Sequence, residues 1–242
     1  MVSLAAAPRL LALALLAIQV SANCIHGTSF SRREEGEVKV SNFGYSGTTG
    51  PLNWASIDAA NSQCATSKVQ SPIVIDDSIP FATEAPKIEF KNVEEAEFEN
   101  LGSTIEVIAE GKTTFAGKDF TLKQFHFHTP SEHRINDEYF PLEVHMVHEA
   151  EDGAIAVLAL PFQLTEDGKT TDLITNVVKN IGDIAKPGTL TKTGPLDFTE
   201  VTDILQTKKL FQYTGSLTTP RAYRFALRSL LGLGLLPLWG WR

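Results

Sequence analysis

The sequence predicts a mainly β fold: a large, twisted, mostly antiparallel central sheet with a few short helices at its periphery. Three observations predict it. From Phe43 to Pro220 the chain breaks into short runs rich in β-branched and aromatic residues, punctuated by Gly, Pro, Asn and Asp. Only one stretch carries a sustained helical period. Strands and helices do not alternate as a parallel βαβ sheet requires, and no internal repeat is present.

In chain order, residues 1–22 read as a cleaved signal peptide. Arg9 supplies the positive charge, Leu10 to Val20 is apolar apart from Gln19, and Val20-Ser21-Ala22 offers compact residues for cleavage. The apolar run is shorter than the roughly 20 residues that span a bilayer, so no stable membrane span is expected. The mature chain is expected outside the cell, secreted, where disulfides persist. Residues 23–42 form a polar leader carrying Arg32-Arg33-Glu34-Glu35. The strand-like runs are Ile73-Val74-Ile75, Lys87 to Phe90, Ser103 to Ile108, Phe120 to His128, Leu142 to His148 and Ile155 to Leu160. Leu173, Ile174, Val177, Val178 and Ile181 recur at helical spacing and predict a surface helix over 170–182, packed on the sheet.

The bulk numbers fit one domain: 242 residues, 43% hydrophobic and 21% charged. A net charge of -8 disfavours a nucleic-acid partner, because a phosphate backbone repels an acidic chain. Basic residues cluster only in the last stretch, 221–242. The two cysteines, Cys24 and Cys64, are too few for a disulfide-built miniprotein, and no CxxC pair suggests a cysteine metal site. No Asn-x-Ser/Thr acceptor occurs, so N-glycosylation is not expected.

The histidines carry the chemistry. His126, His128, His133, His145 and His148 crowd into one short region, leaving only His26 elsewhere. On a strand, residues two apart share a face and stand about 6.7 Å apart. Gln124, His126 and His128 then point one way, with Phe125 and Phe127 on the other side. In the run Glu143 to His148, alternation puts Glu143, His145 and Val147 on one face and His148 on the opposite one. If the two strands pair, the three imidazoles of His126, His128 and His145 converge on one metal ion with a fourth position open. That pattern is catalytic, since structural zinc sites close all four positions with protein ligands. Gln124 and Glu143 share faces with the ligands and are placed to accept ring N–H bonds that fix the tautomers. His133 and His148 read as ordinary hydrogen-bonded histidines.

These residues resemble a known family. Ser131-Glu132-His133-Arg134-Ile135, a gap of four, then Phe140-Pro141-Leu142-Glu143-Val144-His145-Met146-Val147 is similar to the α-carbonic anhydrase signature. Phe43-Gly44-Tyr45, Gly50-Pro51-Leu52-Asn53-Trp54 and Gln70-Ser71-Pro72-Ile73 resemble that family's N-terminal motifs, and Gly215-Ser216-Leu217-Thr218-Thr219-Pro220 its active-site loop. The likeness spans residues 43–220 and is nearest to secreted fungal members. It implies zinc held by His126, His128 and His145, with Gln124 and Glu143 behind His126 and His145. It implies that Thr218 accepts a hydrogen bond from the zinc-bound hydroxide and donates one to Glu132. Val147, Val157 and Leu217 would line the pocket for carbon dioxide, and the reaction would be its reversible hydration to bicarbonate and a proton.

Two departures from the family qualify that expectation. Fast members carry a proton-shuttling histidine where this chain has Ser103, within Asn100-Leu101-Gly102-Ser103, and serine does not titrate near neutral pH. After Pro220 the family continues with further sheet, whereas residues 221–242 are an aberrant apolar and basic tail. The expectation is a sheet lacking its C-terminal strands, with open edges, exposed apolar surface, and one zinc ligand lacking its usual hydrogen-bond partner. Cys64 matches a family cysteine whose partner lies in that segment, leaving either a pair with Cys24 or a free thiol. The alternatives are an inactive or weakly active isoform, a binding module, and a cupin-type metal enzyme.

Overall fold

Backbone pairing gathers the β-rich runs into one dominant sheet. The computed structural model describes residues 38–220, 227–232 and 236–238. The expected signal peptide, most of the leader, Cys24 and the rest of the tail lie outside the described residues. In chain order the elements are α1 (Trp54–Ile57), α2 (Gln63–Thr66), β1 (Val74–Ile75), β2 (Lys87–Phe90), β3 (Glu97–Asn100), β4 (Ile105–Phe115), β5 (Lys118–His128), β6 (Arg134–Ile135), β7 (Glu138–Tyr139), β8 (Leu142–Glu149), β9 (Ile155–Leu164), α3 (Asp172–Val177), β10 (Leu190–Lys192), α4 (Thr199–Thr207), β11 (Leu210–Gly215), β12 (Leu227–Gly232) and β13 (Leu236–Leu238). A ten-stranded sheet runs β10-β3-β4-β5-β8-β9-β12-β11, with β2 on β4 and β13 on β9, while β1, β6 and β7 form a small second sheet. The large sheet is antiparallel except where β12 and β13 lie parallel to β9. This single open sheet differs from the two packed sheets of the cupin jelly roll.

Local chemistry sets the register. The β4–β5 hairpin turns on Ala116 (φ 50) and Gly117 (φ 72), the paired positive φ values that suit the right-handed twist of a two-residue hairpin. At Gly111 a Cβ would stand 2.5 Å from the Phe90 ring, so only glycine lets β2 close on β4. Between β5 and β8 the register slips from Leu122↔His148 to Gln124↔Val147, a bulge at Lys123. The bulge resets the alternation. Leu122 therefore joins Phe125 and Phe127 in the main core, with Val144, Met146, Leu158, Leu160 and Phe162, under Leu173, Val177, Val201 and Leu205 of α3 and α4. Phe125 and Phe162 are 0% and 1% exposed, and truncating either to Ala would cost about 3–5 kcal/mol.

The helix expected over 170–182 is α only to Val177. Thr171 caps it by accepting from the Ile174 amide, and the chain continues as 3-10 turns over Val178–Ile184. Asn180 leaves helical backbone there (φ -111, ψ 20), where its amide donates to the Lys192 carbonyl. A tertiary contact thus overrides the periodic pattern. Helix α4 has only Val201 and Leu205 buried, too short a stripe to be read in advance.

The expected open edge is filled in this structure. β12 pairs with Ala156 to Ala159 of β9 on one side and with the whole of β11 on the other, and β13 continues along Phe162 to Leu164. The tail can do this because unpaired strand N–H and C=O groups accept any chain that extends beside them, whatever its side chains. Among the described residues, no helix is long and apolar enough to cross a membrane.

Candidate metal centre

Strands β5 and β8 place the three histidines in one row of neighbours. His126 stands directly opposite His145, and His128 opposite Glu143. The ring centroids of His126, His128 and His145 lie 5.0, 5.4 and 4.6 Å apart in pairs, and all three residues are buried. Each offers a ring nitrogen within 4.8 Å of the others. His126 Nδ1 bonds Gln124 Oε1 at 2.9 Å, leaving Nε2 free of that bond. His145 Nε2 bonds Glu143 Oε1 at 2.7 Å, leaving Nδ1. Burial, then the charge of His145, holds His126 well below the usual imidazole range, and the same two causes act on His128. Two of the three rings are therefore neutral, as metal ligands must be. Burial pushes His145 down, but the Glu143 carboxylate and its hydrogen bond raise it on balance, so a metal would displace a proton there. The donor set is three imidazoles, two with fixed tautomers, which fits a catalytic zinc site.

Glu143 does more than face His145. Its Oε1 also meets His133 Nδ1 at 2.6 Å, and its Oε2 accepts the His133 amide at 2.9 Å. His133 Nε2 then meets the Tyr213 hydroxyl at 2.7 Å, and that hydroxyl meets Ser71 Oγ at 2.8 Å. With Glu143 ionised the donors run one way: Ser71 to Tyr213, Tyr213 to His133, His133 to Glu143. Burial would raise Glu143, but the His145 charge and the bonds from His133 and His145 hold it well below the carboxylate range. His133, Glu143 and His145 also cluster closely enough to suggest a metal, but these hydrogen bonds already account for their proximity. The sequence reading left His133 as an ordinary buried histidine and missed Tyr213 and Ser71. They come from β11 and the loop before β1, far apart in sequence, and no local spacing signals them.

Glu132 reaches the centre from the loop after β5. Its Oε1 is 3.4 Å from His128 Nδ1 and its Oε2 is 3.8 Å from His145 Nδ1. Burial raises its carboxyl to about 7, opposed by His145 and by a hydrogen bond with Thr218. Glu132 and Thr218 are thus hydrogen-bonded partners. Val147 and Val157 pack with Ile155 and Leu217 in a discrete apolar cluster, two residues along β8 from His145. Ser103 is half-buried and bonds Ser41 Oγ at 2.7 Å. His148 faces away, fully buried against Thr113 and the Met146 carbonyl, and burial depresses it to about 4. Cys64 is a free thiol among the described residues.

Comparison with known proteins agrees with this geometry. The family model for eukaryotic-type carbonic anhydrase matches residues 49–225. The solved fungal α-carbonic anhydrase of Aspergillus oryzae is 43% identical with a TM-score of 0.78, over 81% of this chain and 84% of that one. A carbonic anhydrase of Neisseria gonorrhoeae is 34% identical over 88% of this chain and 78% of its own length. One from Pectobacterium carotovorum is 39% identical, and there the match spans 50% of each chain.

Proposed function

This chain belongs to the eukaryotic-type carbonic anhydrase family, and from that premise we propose that it hydrates carbon dioxide reversibly to bicarbonate and a proton, using zinc. The observation that supports this most is the trio of buried imidazoles on β5 and β8. Gln124 and Glu143 orient two of them. His126, His128 and His145 would hold the metal. When bound, zinc supplies a Lewis acid that brings the pKa of water to about 7, a value for which carbonic anhydrases are themselves the reference case.

The chain's own residues do the rest. Thr218 donates its hydroxyl hydrogen bond to Glu132, so only its lone pairs remain for the attacking water or hydroxide. It therefore accepts from the nucleophile and turns a free lone pair toward the substrate. Val147, Val157 and Leu217 offer an apolar wall that suits a neutral gas and favours release of a charged product. Ser103, bonded to Ser41, carries no titrating group to export the proton.

The test is zinc content of the purified protein together with stopped-flow carbon dioxide hydration. One zinc per chain, with activity lost to chelator and restored by zinc, is the expected result. Iron in place of zinc would sink the reading. A second reading, zinc binding with weak activity, is favoured by the long 3.4 Å approach of Glu132 to His128 Nδ1, which has no closer partner among the described residues, and zinc-loaded protein without hydration would select it. We also propose that the protein is secreted, on the strength of Arg9, the Leu10 to Val20 run and Val20-Ser21-Ala22. N-terminal sequencing of material from the medium should then begin near Asn23.

A further inference from the structure

Ser71 joins two parts of the metal centre that are far apart in sequence. Its hydroxyl oxygen accepts the Ser216 amide at 3.1 Å and meets the Tyr213 hydroxyl at 2.8 Å. Its own amide donates back to Ser216 Oγ at 2.9 Å, so the two serines are bonded reciprocally across 145 residues of sequence. Gly215, between Tyr213 and Ser216, leaves the room for this: a Cβ there would overlap the Ser71 hydroxyl and stand 2.6 Å from the Tyr213 ring. A serine hydroxyl carries one proton and two lone pairs. With the Ser216 N–H directed at a lone pair, the proton goes to Tyr213, the direction that the succession from Tyr213 through His133 to Glu143 and His145 requires. On the other side, Ser216 stands two residues before Thr218, the hydrogen-bond partner of Glu132. Ser71 is held in turn by its neighbour, because the Gln70 side-chain amide donates to the Gln63 carbonyl of α2 at 3.1 Å.

We propose that Ser71 is a positioning residue for carbon dioxide hydration, coupling the loop that carries Thr218 to the support behind His145. The proposal rests on the zinc reading of the three imidazoles and deepens it. Ser71 acts through others: through Tyr213, His133 and Glu143 on the His145 ring, and through Ser216 on Thr218. The reaction needs these two ends in register, because the ring places the metal while Thr218 aims the nucleophile, and a misplacement of about 1 Å can cost about a hundredfold in rate. Backbone pairing supplies that register only indirectly. His145 lies on β8 and Thr218 follows β11, and β9 and β12 stand between those strands in the sheet. The Ser71 hydroxyl ties the two sides directly, by one bond to each.

The test compares Ser71→Ala, Tyr213→Phe and the double variant with the parent, all as the whole chain loaded with zinc. Zinc release to excess chelator reads the His145 side, and hydrogen exchange of the amides of residues 216–218, followed by NMR, reads the loop side. Each single variant should release zinc about fivefold faster than the parent. The double variant should be no faster than either, since both changes cut one succession. Ser71→Ala should speed exchange in the loop about tenfold, whereas Tyr213→Phe, which keeps the bond from the Ser216 amide to Ser71, should leave it unchanged. In Ser71→Ala kcat/KM for carbon dioxide should fall about tenfold. Additive effects on zinc release, parent-like release or kcat/KM in Ser71→Ala, or equal loop exchange in the two single variants would each overturn the proposal. So would a lower circular dichroism melt of the zinc-free protein as the only change in Ser71→Ala, since Ser71 would then pack and not position. A parent that takes up no zinc would overturn the proposal together with the zinc reading. A parent that hydrates nothing, with the zinc-release and exchange patterns as expected, would count against the hydration reading and leave the coupling standing.

Discussion

His145 and His128 stand with ring centroids 4.6 Å apart, yet they are held in opposite ways. Behind His145 the support is deep: Glu143 two residues away on the same strand, then His133, Tyr213 and Ser71 in hydrogen-bonded succession. Behind His128 there is a 3.4 Å approach to Glu132 and then a cavity. His126 resembles His145, with Gln124 two residues before it. The difference separates two ways of orienting a ligand. An acceptor at i−2 on a strand is supplied by local sequence and survives almost any change elsewhere. An acceptor that must arrive from another part of the chain depends on the whole fold.

The largest effect tests the shared ground of the comparison. His145→Ala should abolish stoichiometric zinc binding and lower hydration by about a thousandfold or more, because two imidazoles cannot hold the metal open-sided. His128→Ala should do the same. If His128→Ala kept zinc while His145→Ala lost it, the weakly supported ring would not be a ligand at all.

A second prediction contrasts the two faces of β8. His148 is as buried as His145 but serves packing, and burial depresses it to about 4. The unfolded chain takes up its proton near 6.5 and the folded chain only near 4, so stability is full above 6.5 and falls as pH drops between them. The loss by pH 4 is about 3 kcal/mol from this residue. In zinc-free protein, urea melts at pH 7, 5.5 and 4.5 should show a shallower decline for His148→Gln than for the parent. Parallel declines would mean that His148 is not buried neutral.

The third prediction goes to the supports themselves. Glu143→Gln should weaken zinc binding about 10–100-fold, and Gln124→Ala about tenfold, by competition against a chelator. Glu132→Gln should leave zinc affinity within about threefold, because 3.4 Å to His128 is too long for a strong orienting bond. Should Glu132→Gln cost as much zinc as Glu143→Gln, then Glu132 is the missing orienter and the contrast disappears.

What could be read from the sequence divides along the same line. Alternation placed His126, His128 and Gln124 on one face of their strand and Glu143 with His145 on one face of theirs, and pairing of β5 with β8 brought the two rows together. The sheet itself was legible, because Lys87 to Phe90 and Leu142 to His148 carry their own strand patterns. The bulge at Lys123 was not, since it arises between two strands. Neither was the partnership of Ser71, Tyr213 and His133, whose members come from separate parts of the chain and meet only when the fold closes. The tail was read as an absence of sheet. The pairing of β12 with β9 and β11 shows that backbone hydrogen bonding can recruit a segment with no strand signature.

The smallest effect concerns the weakly supported side again, where Ser103 lines the same cavity as His128. Its hydroxyl is tied to Ser41 at 2.7 Å and holds no proton that moves near neutral pH. Proton export then falls to the buffer. Adding imidazole-type buffer should raise kcat a few-fold and saturate, while kcat/KM for carbon dioxide stays constant, since the buffer acts after the chemical step. Ser103→His should raise the rate about threefold to tenfold in buffer that carries no proton near neutral pH, and should flatten the dependence on added imidazole. A parent enzyme indifferent to imidazole would mean that the proton already has a route out, or that an earlier step is limiting. In either case Ser103 would not explain the turnover, and the open side of the centre would matter through zinc retention alone.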